Sequence, residues 1–299
     1  LKKILSILVS TLLLLPLFAC GGAGETAETE PAALTVAVGI VPEAAFVEAV
    51  AGDLVGVVTL VPPGSSPANY QPTSSEMQAL SDATIYFTLQ MPAERANILP
   101  KVSDFNPDIQ VVDLRETTAA VYPLLNSTDE HEIAETGESV DPHLWLSPKR
   151  AAVMVQTIAD TLSEADAANA DTYQANAADY IAKLDALDTE IRQIVASAET
   201  GTFLIYHGAY GYFADDYGLT MVAIEIEGKQ ATAEDLQSVI DYARENGIKT
   251  IFYQEEFDSN QAETVAAEIG GVVQKVSPLS ADYIQGLQDF ATAFAQSGK

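Results

Sequence analysis

Asp141-Pro142-His143-Leu144-Trp145-Leu146-Ser147-Pro148 is the stretch from which the rest of the chain can be read. It holds one of three histidines and the single tryptophan, between two prolines that stiffen the backbone. A histidine held this way suits a site whose geometry exists before its ligand arrives. His143 is therefore a candidate metal ligand. Taken alone, the stretch is explained as simply by a loop histidine hydrogen-bonded beside a buried Trp145. The flanking sequence decides between the two.

On its carboxyl side, Ser147 is placed to cap a helix that starts at Pro148 and carries Met154, Ile158 and Leu162 on its inner face. A second helix follows, with Tyr173, Ala177, Tyr180, Leu184, Leu187, Ile191 and Ile194 spaced alternately by four and three residues. That stripe spans roughly 30 Å at about 1.5 Å per residue, with no Gly or Pro to bend it. A coiled-coil partner helix needs such a stripe, and so does a single helix laid across two halves of one chain. Strands alternating with helices on either side favour the second arrangement.

On the amino side, apolar runs at Leu34 to Ile40, Val55 to Val61, Ala83 to Leu89 and Ile109 to Leu114 read as buried strands. Pro42-Glu43 opens a helix that ends at Gly52, and Thr73 with Glu76 forms a capping box before another. Pro62 to Pro67 is a rigid loop. Beyond the long helix the alternation resumes, with strands at Thr202 to Tyr206, Met221 to Ile226, Lys249 to Tyr253 and Val272 to Val276. The fold class is α/β: two lobes, each a parallel β-sheet flanked by helices, joined by one long α-helix. His207 then lies where a strand ends and a helix begins, the place where such folds bind ligands. One histidine stands in each half.

Lys2 and Lys3 precede an uncharged apolar run from Ile4 to Phe18, the pattern of a secretory signal. Leu17-Phe18-Ala19-Cys20 resembles a bacterial lipobox, which implies cleavage before Cys20 and lipidation of its thiol. The expected organisation is a lipoprotein signal peptide over 1–19, a flexible tether over 20–33, an N-terminal lobe over 34–165, a linking helix over 166–199 and a C-terminal lobe over 200–299.

With 14 basic against 43 acidic residues and a net charge of −29, the chain repels nucleic acid and anionic lipid. Membrane contact is expected through the lipid at Cys20, outside the cytoplasm. The acidic, Ser/Thr-rich stretch from Asn126 to Val140 is expected to be a mobile surface loop. Its His131-Glu132 lacks the second histidine of a zinc-protease helix, since Glu135 stands there. No Gly-x-Ser-x-Gly elbow or phosphate-cradling glycine loop occurs, and no enzyme is expected.

Several stretches carry a family resemblance. They are the Pro62 to Pro72 loop, Asp141 to Pro148, the helix from about Thr172, His207 to Leu219 with its Gly211-Tyr212-Phe213, and Ile251-Phe252 through Phe257. The chain resembles the zinc and manganese solute-binding lipoproteins of bacterial ABC importers over nearly all of the region beyond the leader. The resemblance implies a monomer that clamps Zn2+ or Mn2+ between two lobes and docks on an ABC permease. It implies His143 and His207 as metal ligands. At two other positions the chain departs from the family: Ala68 stands where the resemblance places a histidine, and Ser277 where it places an aspartate. Glu256 is the preferred substitute ligand, with Asn69, Gln71 and Glu255 as weaker candidates. A paralogue with weakened metal binding, serving another solute or a surface adhesion role, is the alternative.

Overall fold

The computed structural model describes residues 34–126, 140–225 and 230–298. The leader, Cys20, the tether and His131 lie outside the described residues. The first apolar run forms β1 (Leu34–Val38), with Val36, Ala37 and Val38 fully buried. It leads into α1 (Val41–Ala51), and β2 (Val55–Thr59) then returns parallel to β1. After α2 (Ser74–Ser81) comes β3 (Ile85–Thr88), and after the short α3 (Val102–Phe105) comes β4 (Gln110–Asp113), followed by α4 (Leu114–Ala119). The four strands form one parallel sheet in the order β2-β1-β3-β4. Thr73 and Glu76 form the expected capping box: the Thr73 hydroxyl accepts from the Glu76 N–H, and the Glu76 carboxylate accepts from the Thr73 N–H.

Two helices separate this sheet from the next: α5 (Pro148–Ala165), capped by Ser147, and α6 (Ala170–Val195). The second sheet is built by β5 (Thr202–Ile205), α7 (Gly211–Tyr217), β6 (Thr220–Ala223), α8 (Ala233–Glu245), β7 (Thr250–Gln254), α9 (Asn260–Ile269), β8 (Val272–Val276) and α10 (Tyr283–Gln296). Its strands are again parallel, in the order β6-β5-β7-β8. In each sheet the first strand lies inside and the chain winds outward on both sides of it. This reversal of strand order opens a crevice at the carboxyl ends, and the two crevices supply the site.

The stripe of α6 is where the two halves meet. Its Tyr173, Ala177, Leu184, Leu187 and Ile191 are buried, with Tyr180 and Ile194 at the margin. The helix packs on α5, α1 and α10. A single apolar cluster runs from Val36 and Phe46 through α6 to Phe203 and Phe290. Separate clusters around Tyr86 and around Ile251 cover the outer faces of the two sheets. The stretch from Asp141 to Pro148 is tied to the second half. The Trp145 indole donates to the Pro278 carbonyl at 2.8 Å, and the Tyr283 hydroxyl donates to the Trp145 carbonyl at 2.5 Å. The Tyr212 hydroxyl donates to the Asp141 carbonyl at 2.8 Å. Asp216 of α7, its side chain fully buried, accepts from the Ser147 hydroxyl at 2.5 Å and from the Arg150 guanidinium at 2.8 Å.

One strand differs from its sequence reading. Of the run expected from Met221 to Ile226, Ile226 lies outside the described residues, and the described part pairs as Thr220–Ala223. The Ile224 N–H donates to the Ile205 carbonyl at 2.8 Å and shares the Tyr206 carbonyl, at 3.2 Å, with the Glu225 N–H, which donates to it at 2.9 Å. Glu225 thereby leaves the strand and faces the crevice.

Beneath the first sheet's carboxyl end lie two fully buried carboxyls, Glu43 and Glu94, against Gly39. Glu43 accepts from the Ile40 N–H; Glu94 accepts from the Tyr86 hydroxyl and the Met91 N–H. Burial, and after it the neighbouring Glu94 charge, raises the Glu43 pKa well above the usual carboxylate range. Above the ordinary glutamate pKa, the unfolded chain therefore binds fewer protons than the folded one, and stability falls as pH rises. Glu43→Gln removes one ionisation and keeps an oxygen for Ile40. Its denaturant midpoint should gain on the wild type between pH 5 and pH 8. Parallel midpoints would show that Glu43 itself takes up no proton on folding.

Candidate metal centre

His143 and His207 meet across the crevice. His143 follows Pro142 and precedes a single tight turn, Leu144–Leu146, so its backbone is fixed on both sides. His207 lies just beyond β5. Its N–H donates to the Gln254 side-chain oxygen at 3.2 Å, and its carbonyl accepts from the Gln254 amide nitrogen at 2.7 Å. Gln254, fully buried at the end of β7, thus clamps the His207 backbone from the neighbouring strand.

Each imidazole is backed by a carboxylate. Asp141 Oδ1 lies 2.8 Å from His143 Nδ1 and also accepts from the His143 N–H at 2.9 Å. Glu225 Oε2 lies 2.7 Å from His207 Nδ1. An ionised carboxylate only accepts, so both Nδ1 atoms carry the proton. The other nitrogens, both Nε2, then present lone pairs, and they face each other at 3.2 Å. Two lone pairs at that distance do not hydrogen-bond. The arrangement calls for a cation: a metal ion ligated by both, or a proton taken up by one.

Aromatic rings hold the two imidazoles in place. Phe257 stacks on His207 with centroids 4.7 Å apart, and Trp145 lies 5.2 Å from His143 at a tilt. Gly211 gives Asp141 its room, because a Cβ at that position would stand 2.4 Å from Asp141 Oδ2.

The imidazoles open into a cavity of about 190 Å3 walled by both halves, including Ala68, Asn69, Met91, Glu256, Phe257 and Leu279. Of the substitute ligands, Glu256 and Asn69 reach this wall. Glu256 is half-buried with Oε2 unpartnered, and burial raises its pKa above the usual range. Gln71 is exposed and outside the wall, and Glu255 points away to an ion pair with Lys275. Ser277 is exposed outside it too, while its neighbours Pro278 and Leu279 form part of it. Among the described residues, no three His, Cys, Asp or Glu side chains converge into a metal-holding group. Asp141, Glu225 and Gln254 are the working residues that the sequence reading did not assign to the site. A carboxylate at a strand end, as at Glu225, is the one signal that pointed there.

Two α/β halves, one long connecting helix and a cavity where the strand ends meet define the fold of the solute-binding proteins. The chain matches the family described as ZnuA, zinc-uptake complex component A periplasmic, over residues 36–297. It is 31% identical over 288 residues to the zinc-binding lipoprotein AdcA of Streptococcus pneumoniae, covering 93% of this chain and 55% of that protein. It thus spans about half the length of that relative. It is 29% identical to the high-affinity zinc uptake system protein ZnuA of Bacillus subtilis, covering 87% of this chain and 84% of the relative. The crystal structure of a ZnuA superposes with a TM-score of 0.81 at 33% identity, over 89% of this chain and 99% of that one. The chain belongs to the ZnuA family.

The Asp141 contact is testable by nitrogen NMR of the metal-free protein, where both histidines should show a protonated Nδ1. In Gly211→Ala the Nδ1 proton of His143 should exchange faster as Asp141 is displaced, while that of His207, held by Glu225, stays protected. Unchanged exchange at His143 would mean that Asp141 does not set its tautomer.

Proposed function

We propose that the chain captures a divalent transition metal ion, zinc or manganese, on the Nε2 atoms of His143 and His207 and hands it to an ABC permease in the membrane. The observation that carries this reading is the 3.2 Å separation of the two Nε2 atoms, each on a ring whose Nδ1 meets a carboxylate. With zinc–nitrogen bonds of about 2.0–2.1 Å, that separation corresponds to an N–Zn–N angle of about 103°, near the tetrahedral value. Carboxylates on the far nitrogens are what metal-bound histidines commonly have, because they fix the tautomer and strengthen the donor. The names of the relatives, a zinc-binding lipoprotein and a zinc uptake protein, support the same cargo. Nitrogen donors favour zinc over manganese. Glu256 and Asn69 are the side chains on the wall that could add an oxygen.

The role is capture and release, with no chemical turnover. Cleavage before Cys20 and lipidation there would hold the protein outside the cytoplasm, with residues 20–33 as its tether. Neutral imidazole is required for binding, so loading releases protons where the histidines are charged.

Calorimetric titration of metal-stripped protein with zinc and then manganese tests the site. His143→Ala and His207→Ala should each weaken zinc binding at least tenfold, about 1.4 kcal/mol or more. Glu256→Gln should cost less than either. A His143/His207 double variant that binds zinc as the wild type does would overturn the proposal.

A further inference from the structure

The size and lining of the cavity do not match a bare ion. Two imidazoles fill half of a tetrahedral shell, and no third acidic or imidazole side chain among the described residues completes a ligand group. A water needs roughly 10–15 Å3 in a cavity. The space beside the imidazoles is about 190 Å3, several times what an ion with two waters occupies, and so has room for a small organic ligand. Its walls are largely apolar: Pro67, Ala68, Met91, Pro92, Phe257 and Leu279. Such walls hydrate the open positions of an ion poorly and suit the carbon skeleton of an organic ligand. Besides the two imidazoles, the polar side chains on the wall are Ser66, Asn69, Glu225, whose Oε2 is engaged by His207, and Glu256, with its unpartnered Oε2. They are spaced around the apolar surface as orienting contacts for a small polar-ended molecule. Ala68 presents a methyl group to this space, and no donor.

On the reading that His143 and His207 hold the ion, we propose that the cargo is a metal chelate: the ion with one small amino-acid-type chelator, of which free histidine is the type. Its amino nitrogen and carboxylate, or its imidazole, would fill the coordination positions that the chain leaves open. Its body would occupy the space beside Ala68. No covalent bond is made or broken, and the chelator exchanges only for water on the ion.

Equilibrium dialysis of the metal-stripped protein against zinc alone, radiolabelled histidine alone, and the two together separates this from bare-ion capture. Histidine is itself a zinc chelator, so at a bare-ion site it can only withdraw zinc. Under the proposal, equimolar histidine lowers the zinc concentration for half-saturation at least tenfold. One histidine is retained per zinc, and none without zinc. Ala68→His, at an exposed position, supplies an imidazole from the chain; it should bind zinc without free histidine, gain nothing when histidine is added, and retain none. Tight one-to-one zinc binding by the wild type that histidine merely weakens would overturn the chelate and leave the His143/His207 site standing. Zinc retained under neither condition would overturn both.

Discussion

Asp216 is a carboxylate without exposed surface, and the geometry of the centre depends on it. It sits on α7 and takes hydrogen bonds from Ser147 and Arg150 at the start of α5, with Lys149 adding a further charge at 2.5 Å. A buried charge left without partners costs several kcal/mol, about 3–5 when one member of a pair is removed. The start of α5 therefore cannot drift from α7. His143 lies four residues before Ser147, and His207 four residues before Gly211, where α7 begins. The knot at Asp216 thus fixes both histidines by short lengths of chain. The Trp145 bond to Pro278 and the Tyr212 bond to Asp141 remove the remaining freedom between them.

This bracing limits how the protein can let its cargo go. Large hinge closure needs two bodies with separate cores. Here one apolar cluster passes from the first sheet through α6 to the second, and close-packed interiors resist continuous deformation. The pieces of the wall outside that braced frame are the loop at Ala68 and Asn69 and the turn at Glu256 and Phe257. Phe257 lies flat on the His207 ring. Movement of that turn would uncover one face of the imidazole without disturbing its carboxylate, and the two histidines would stay in register.

The order of strands and helices was legible because its signals are local: short β-branched runs, the Thr73/Glu76 box, Ser147-Pro148 and the stripe of α6. His143 and His207 were legible because strand-end positions follow from that order. Their supports were less so. Asp141 bonds to the N–H two residues on, a local contact open to a sequence reading. Gln254 grips His207 from 47 residues away, and Glu225 required the turn that ends β6 one residue past Val222. Neighbourhood in sequence also misled at Gln71 and Glu255. Adjacent side chains near a strand end point to opposite sides, so Glu256 meets the cavity while Glu255 goes out to Lys275.

The acidity of the chain and the two carboxylates behind the histidines do different work. A net charge of −29 draws every cation toward the surface, calcium and magnesium included. Screening confines that attraction to about 8 Å at physiological salt, and it does not distinguish one dication from another. Discrimination begins only at the paired nitrogens. Hard cations prefer shells of oxygen, and they lose more water in reaching two imidazoles than the imidazoles return. Asp141 and Glu225 would offset the charge of a dication held on the proposed site, and the oxygen that each turns to its ring, Asp141 Oδ1 and Glu225 Oε2, is already committed to Nδ1. With those two oxygens engaged, the choice between one dication and another would fall to the paired nitrogens.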